Sequence, residues 1–279
     1  MKSIITLPLN MGRLALAYEK HGSAVGFGGM TFGTNLKVDL FSKGKWQGSK
    51  DLGSGLVTDW GALALANEAL TLASPSGARI NTLFLSNQHA SGKGVTAADQ
   101  EDYKIETIST AGGQTPVAGT QSFDSTGTAA TPKYKTVATI AYTGTEAVTE
   151  WGLFTNGTLS TTTGTPFTAA TATTFTATGT PYTASSSTVQ GLQQQIVEPG
   201  TTTVIGLITS NTTSVATLQN NGTTGWFTRA AGTNGSTPGG TESFTLRPIM
   251  WDHKVFSAIN VINGDSIQFT YTLQISPGG

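Results

Sequence analysis

The sequence predicts an all-β protein, an antiparallel β-sandwich of jelly-roll or immunoglobulin-like type, on the basis of three observations. Polar and apolar residues alternate without a break from Ser266 to Ile275, the period of a strand with one buried face. Charged residues make up only 11% of the chain, against about a quarter in an average globular protein. Runs of β-branched and aromatic residues are separated by turn residues along most of the chain, and such runs favour strands.

The C-terminal strand predicts part of the core. Phe269, Tyr271 and Leu273 share its apolar face, so we expect them to be buried and the polar residues between them to be more exposed. Asn263-Gly264-Asp265 supplies a tight turn, and the preceding run Val255–Ile262, which includes Phe256 as a core candidate, is therefore predicted to form a β-hairpin with the last strand.

The predicted partner of this hairpin is Tyr134–Phe154, which has strand-like runs on both sides of Thr143-Gly144-Thr145. It ends in Trp-Gly-Leu-Phe, and two bulky aromatics around a glycine indicate that another backbone passes close to the strand. Trp151 and Phe154 complete the predicted core.

Three motifs carry a resemblance to a known class of proteins. They are T-E-W-G-L-F (Thr149–Phe154), W-D-H-K-V-F (Trp251–Phe256) with the alternating strand after N-G-D, and the block G-L-V-T-D-W-G-A-L-A-L-A near residue 60. Together they make the chain similar to virion structural proteins of tailed bacteriophages, which occur as head decoration, appendage or tail-associated components. The similarity covers roughly the C-terminal half and that block.

The resemblance implies a structural, non-enzymatic role in a phage particle. The first expectation is a capsid decoration or cement protein that stabilises the head; the alternative is a tail or head appendage (fibre) module that binds a host receptor or glycan. Other virion proteins, above all the major capsid protein, are the implied partners. The implied location is the virion, and the host cytoplasm before assembly.

The segment 1–55 is predicted to be a basic, glycine-rich N-terminal arm or set of strands, and 56–279 the β-sandwich domain or domains. Residues 1–50 carry seven basic and two acidic side chains. The candidate interface residues here are Lys37, Lys43, Lys45 and Lys50, which would dock on an acidic surface; the alternative is a solvated basic face.

One helix is predicted near residues 58–72, because Thr58 or Asp59 can cap it and Ser74-Pro75 ends it. Further strands are predicted at Arg79–Leu85 and Tyr103–Ile108.

A Thr/Gly-rich insertion is predicted at about 155–200. Threonine dominates there, and T-G-T-P-F-T-A at Thr163–Ala169 recurs as T-G-T-P-Y-T-A at Thr178–Ala184. Phe167 and Tyr182 occupy equivalent places and are the other interface candidates; the alternative is a strand-filling role. Uncharged strand edges favour self-association, so we predict a homo-oligomer, a trimer or dimer.

The sequence predicts no catalytic, cofactor or metal site. Its three histidines, His21, His89 and His253, stand far apart, and no nucleophile elbow, P-loop or zinc-protease motif occurs. A glycosidase built from distant carboxylates stays open as a third function. The absence of cysteine excludes disulfides. No apolar run is long enough to span a membrane, and the net charge of −1 favours no direct contact with nucleic acid.

Overall fold

The computed structural model of the protein describes residues 25–27, 30–62, 86–112, 115–123, 133–155, 161–171, 174–177, 194–197, 204–211, 214–218 and 243–277. Within these ranges the chain forms seventeen strands and one helical turn at residues 59–62. The fold is all-β, as the alternation and the low charge predict. Its strands form two open sheets and one closed barrel.

The first sheet is built around the C-terminal strand. Its order is β1 (Val25–Phe27), β2 (Met30–Ser42), β17 (Asp265–Pro277), β8 (Lys133–Ala141) and β7 (Thr120–Phe123), and β3 (Lys45–Gly53) also pairs with β2. Strand β17 pairs with β2 along its whole length and with β8 on its other side. The later part of the predicted N-terminal segment 1–55 therefore belongs to this sheet; residues 1–24 lie outside the described ranges.

The second sheet has the order β4 (Leu56–Val57), β16 (Met250–Val261), β9 (Glu146–Phe154), β5 (Gln88–Gly92) and β6 (Val117–Ala118). All of its pairs are antiparallel. The helical turn follows β4, and Thr58 caps it, since its Oγ1 accepts a hydrogen bond from Gly61 N at 3.1 Å. The rest of the predicted helix 58–72 and the predicted strand Arg79–Leu85 lie outside the described residues.

The two sheets pack face to face across a hydrophobic core centred on Trp151. The ring of Trp151 lies 5.6 Å from that of Tyr271 and 6.4 Å from that of Phe269. These three residues and Leu273 are fully buried, whereas Phe256 is half-buried at the margin of the core. Phe154 is buried in a smaller cluster with Ala90, Ile105 and Met250. The polar residues of β17, Gln268, Thr270 and Thr272, are half-buried on the opposite face.

The predicted β-hairpin at the C-terminus is wrong in one respect. Strand β16 pairs with β4 and β9, and β17 pairs with β2 and β8, so the turn after Val261 carries the chain from one sheet to the other. The turn between β8 and β9 makes the same crossing. Alternation predicts a strand and its buried face but does not specify the neighbouring strand, which here lies in the other layer.

The threonine-rich region forms the barrel. Its strands close in the order β10 (Thr161–Ala170), β11 (Thr174–Ala177), β14 (Val215–Leu218), β13 (Val204–Asn211), β12 (Gln194–Val197) and β15 (Ser243–Pro248). The barrel is inserted between the paired strands β9 and β16, and it extends well beyond the predicted insertion at about 155–200.

The two ends of the insertion are tied together. Thr155 N donates to Ile249 O, and Ile249 N donates to Thr155 Oγ1, both at 3.1 Å. Every strand of the closed barrel is paired on both sides, so the uncharged edges on which the prediction of a homo-oligomer rests are occupied within the chain. The homo-oligomer itself stays a prediction.

The predicted strand Tyr103–Ile108 is also wrong. This segment is irregular, and the bridge between Ile108 and Gly92 is its one strand-like contact among the described residues. Further along the chain, the short strands β6 and β7 follow at Val117–Ala118 and Thr120–Phe123. No helix in the described part of the chain is long and apolar enough to cross a membrane.

Candidate functional site

Three charged side chains that are buried or nearly so, Glu146, Glu150 and His253, hold one loop, residues 93–111, against the second sheet. We name it the clamped loop. It contains no regular strand, yet Tyr103, Ile105 and Ser109 within it are buried. Backbone N–H groups at such a position need acceptors, because an unpaired buried donor is costly. Carboxylates supply them.

Glu150 of β9 is the central acceptor. Its side chain is fully buried, and its Oε2 accepts from Gly94 N at 2.9 Å and from Thr107 N at 3.3 Å. Its Oε1 accepts from Glu106 N at 2.6 Å. One carboxylate thus replaces the ladder that a neighbouring strand would provide. Hydrogen bonds to an ionised acceptor are stronger than those between neutral groups.

Glu146, four residues before Glu150 on β9, holds the end of the same loop. It accepts from Thr110 N at 3.1 Å, from Ala111 N at 3.2 Å and from the hydroxyl of Ser109. Lys93 Nζ lies 3.1 Å from its Oε1. Burial alone would raise the pKa of Glu146, but the hydrogen bonds from these groups outweigh it and lower the pKa to about 2.

His253 of β16 connects the clamped loop to Glu150. Its Nδ1 lies 2.7 Å from Asp102 Oδ2 in the loop, and its Nε2 lies 2.9 Å from Glu150 Oε1. Burial alone would lower the pKa of His253, but its hydrogen bonds to Asp102 and Glu150, and the charges of the two carboxylates, raise it to about 9. The ring is therefore a cation at neutral pH and has no free lone pair for a base or a metal ligand.

The other described histidine, His89, is held neutral. Trp151 Nε1 donates to its Nδ1 at 3.2 Å, so its Nε2 carries the proton and donates to Thr136 Oγ1 at 3.1 Å. Burial lowers the pKa of His89 to about 3. Its contacts are those of a structural histidine, which is the role that the sequence predicts; His21 lies outside the described residues.

Asp252 precedes His253 and lies apart from this network, as neighbours on a strand do. It is fully buried beside Gly55, whose backbone leaves no room for a side chain there. Burial raises the pKa of Asp252 to about 7. Among the described residues no group of three or more histidine, cysteine or acidic side chains could hold a metal ion.

The four candidate lysines lie on one hairpin, formed by β2 and β3. Lys43 and Gly44 form its turn with positive φ angles of 48° and 77°, the geometry that two-residue hairpins favour. Lys43, Lys45 and Lys50 are exposed, and no acidic side chain within the described ranges pairs with them. Lys37 differs, because its Nζ lies 3.3 Å from Asp39 Oδ1.

Trp46 is the residue of this hairpin that the sequence reasoning missed. It is 61% exposed, whereas Trp60, Trp151 and Trp251 are buried. An aromatic between Lys45 and Lys50, beside a glycine turn, was the available signal. Phe167, the first of the two repeat residues, lies in β10 opposite Ala177 of β11. Tyr182, the second, lies outside the described residues.

A cleft of about 380 Å³ opens between the clamped loop and the end of β15, the last strand of the barrel. Phe154, Ile105 and Pro248 form part of its lining. The guanidinium of Arg247 lies 5.8 Å from the centre of the Tyr103 ring, and Lys104 Nζ lies 5.5 Å from it. The lining combines apolar surface, two aromatic rings, two cations and the carboxylate of Glu106, and ligand sites commonly mix apolar and polar groups in this way.

Comparisons with protein-family models, with curated proteins and with solved structures found no match to this chain.

Proposed function

We propose that the protein is a structural, non-catalytic component of a bacteriophage particle, and specifically a capsid decoration protein that stabilises the head. The observation that carries this proposal is the β2–β3 hairpin. Its three exposed lysines, Lys43, Lys45 and Lys50, lie along one edge hairpin of a chain whose net charge is only −1. Such a local cationic surface suits attachment to an acidic capsid surface.

Two further observations support the proposal. The motifs that resemble phage virion proteins supply β9, β16 and the core residues Trp151 and Trp251. The buried His253, flanked by Asp102 and Glu150, has both ring nitrogens engaged in holding the clamped loop. This arrangement favours a structural role, and not a catalytic one, for the cluster of Asp102, His253 and Glu150.

The test adds purified protein to bare capsids and, separately, to host cells across a salt series. We expect stoichiometric coating of capsids that weakens as salt rises, because exposed charges are screened over about 8–10 Å near physiological ionic strength. Capsids should also become more resistant to heat when coated. Saturable binding to cells and blocked infection, with bare capsids left uncoated, would contradict the proposal.

The second candidate function is a tail or head appendage (fibre) module that binds a host receptor or glycan. The cleft beside Tyr103 and Arg247 favours it, because an aromatic ring flanked by hydrogen-bonding side chains of both charges, Lys104, Arg247 and Glu106, can bind a sugar. The inserted barrel is a second surface for a host ligand. Changing Phe167 of β10 and its counterpart in the repeat, Tyr182, separately to Ser tests the threonine-rich segment: lost cell binding would support this function, and unchanged oligomer mass and binding would leave a strand-filling role.

A further inference from the structure

Three turns meet at one end of the sandwich: residues 42–45 between β2 and β3, residues 142–145 between β8 and β9, and residues 262–264 between β16 and β17. We name this surface the turn end. Lys43 N donates to Gly264 O at 3.1 Å, and Gly264 N donates to Tyr142 O at 3.0 Å. Backbone hydrogen bonds therefore join the three turns, so the side chains on them are presented by a fixed framework.

The turn end combines exposed cations with exposed apolar surface. Lys43 and Lys45 are exposed, Trp46 is 61% exposed and Ile262 is 50% exposed. Four large hydrophobic residues in the described part of the chain are more than a third exposed. Ile262 lies in the turn end, and Trp46 is the residue directly after it in β3. Aromatic residues and cations are enriched at the centres of protein interfaces.

The carboxylates at the same end point inward and are already engaged. Asp265 is 6% exposed, and its Oδ2 accepts from Ile262 N at 3.0 Å. The side chain of Glu146 is 5% exposed and pairs with Lys93, whose own side chain is 38% exposed. These two carboxylates are thus engaged inside the fold. Asp39, the carboxylate beside Trp46, is engaged by Lys37 and Ser49 on the outer face of the hairpin, while Lys43 and Lys45 face outward without an acidic partner among the described residues. Charge complementarity requires a partner surface that is acidic.

Lysines on an edge strand have another known use, which is to prevent the edge of β3 from pairing with a second sheet. That role explains Lys45 and Lys50. It does not explain Trp46, because an exposed aromatic on an edge strand favours association.

We infer that the turn end is a docking surface for an acidic protein surface with an apolar recess, in which Trp46 is the anchor and Lys43 and Lys45 provide charge complementarity. Identifying the owner of that acidic surface as a capsid protein rests on the proposed function. The docking chemistry itself does not. Trp46, opposite Phe41 on the outer face of the sheet, would bury its ring in the recess. Lys43 at the hairpin tip and Lys45, whose side chain leaves the other face of β3, would pair with carboxylates at the margin of the recess.

The test uses the full chain, with bare capsids and two immobilised polymers as probes: polyglutamate, and a copolymer of glutamate and tyrosine. The variants are Trp46→Ala and the double change Lys43→Asn with Lys45→Thr. Asn tolerates the positive φ at position 43, so that variant removes charge without straining the turn. Lys135→Thr removes one positive charge from a half-buried position in β8, several residues away along the sheet, and is the control for loss of charge outside the turn end.

We expect Trp46→Ala to weaken binding to capsids and to the copolymer more than tenfold, at low and at high salt alike. The double lysine variant should lose a similar amount at low salt and less at high salt. Lys135→Thr should stay within about twofold of the unchanged protein. Circular dichroism and melting temperature should be the same for all, because Trp46, Lys43 and Lys45 are exposed.

The outcomes separate the two proposals. Capsids coated equally by every variant would overturn the docking surface and leave the decoration function standing. Binding to the copolymer that depends on Trp46, with uncoated capsids, would support the docking surface and contradict the decoration function. Binding of double-stranded DNA or heparin that Trp46→Ala does not weaken, with no binding to the copolymer, would overturn the acidic protein as the partner.

Discussion

A single buried histidine cation, His253, links the clamped loop to the second sheet. His253 lies between Asp102 and Glu150, and Glu150 in turn accepts three backbone hydrogen bonds from the clamped loop. Removing one member of a buried ionic group leaves its partners uncompensated, which costs more than the intact group contributes. The protonation of His253 therefore sets the stability of the loop.

This gives a pH dependence with a defined sign. The folded pKa of His253 is raised from 6.5 to about 9, so its stabilisation is complete below pH 6.5 and is lost as pH rises through 9. Wild-type protein should lose on the order of 3 kcal/mol of unfolding free energy over this window. His253→Gln should be less stable at pH 6.5 and, once Asp252 with its pKa of about 7 has ionised, flat from about pH 8 to 9.5. Urea unfolding across that range measures both, and equal slopes would contradict the assignment.

The core makes a second prediction at the scale of the residue. Phe269 is fully buried and its ring is stacked on Trp151 at 6.4 Å. Changing Phe269 to Ala should lower the unfolding free energy by about 3–5 kcal/mol, through lost burial and the cavity left behind. Gln268→Ala, on the half-buried face of the same strand, should change it by less than about 1 kcal/mol. Freely exchanging amides in β17 would show that this core assignment is wrong.

At the scale of the element, periodic sequence patterns predicted the type of an element and its buried face. The alternation of β17 predicted a strand and which of its faces is buried, and Thr58 predicted the start of a helix. Neither pattern contains information about neighbours, so the sheet crossing at residues 262–264 was not predictable. The local excess of basic residues predicted Lys37, Lys43, Lys45 and Lys50 as interface candidates but not the hairpin that carries them; Trp46 was overlooked because a single aromatic has no period.

The clamped loop shows why the remainder could not be predicted. Its segment Tyr103–Ile108 has apolar residues at alternate positions, which favours a strand. Its backbone donors bond instead to a carboxylate from β9, about 44 residues further along the chain, and Asp102 meets His253 across a still longer separation. Contacts of this kind depend on the finished fold and leave no local signature.

The glycines beneath the clamped loop provide a test of how closely it packs. A Cβ at Gly92 would lie 2.5 Å from Glu150 Oε2 and 2.7 Å from Thr107 O. Gly92→Ala should therefore destabilise the protein by about 2 kcal/mol and increase hydrogen exchange in the clamped loop. Gly144→Ala is the control, because a Cβ there would meet nothing nearer than 3.4 Å. Equal stability of the two variants would contradict the described packing of the loop.

For the whole molecule, the inserted barrel determines the organisation of the chain. Its two ends leave neighbouring strands at Thr155 and Ile249, which are hydrogen-bonded to each other. The sandwich strands on either side of the insertion are already paired without it. Insertions at such closely spaced ends are tolerated well by the host domain.

We therefore predict that the barrel can be removed. Replacing residues 156–248 by Asn-Gly, which favours a two-residue turn, should leave a sandwich that unfolds cooperatively, with a stability loss of about 1–2 kcal/mol. Near-UV circular dichroism should retain the signal of the packed Trp151 and Trp251. A shortened chain without a cooperative melting transition would show that the sandwich needs the barrel to fold.

The position of this insertion also decides how the molecule would carry tension. A pull on the barrel passes into β9 and β16, two adjacent inner strands of the second sheet, and loads them along their length against β5 and β4. The crossings at the far end then pass the force to β8 and β17 in the first sheet. Because β9 and β16 each run from the turn end to the barrel, a barrel held by one body and a turn end held by another would be linked by two continuous, hydrogen-bonded strands side by side.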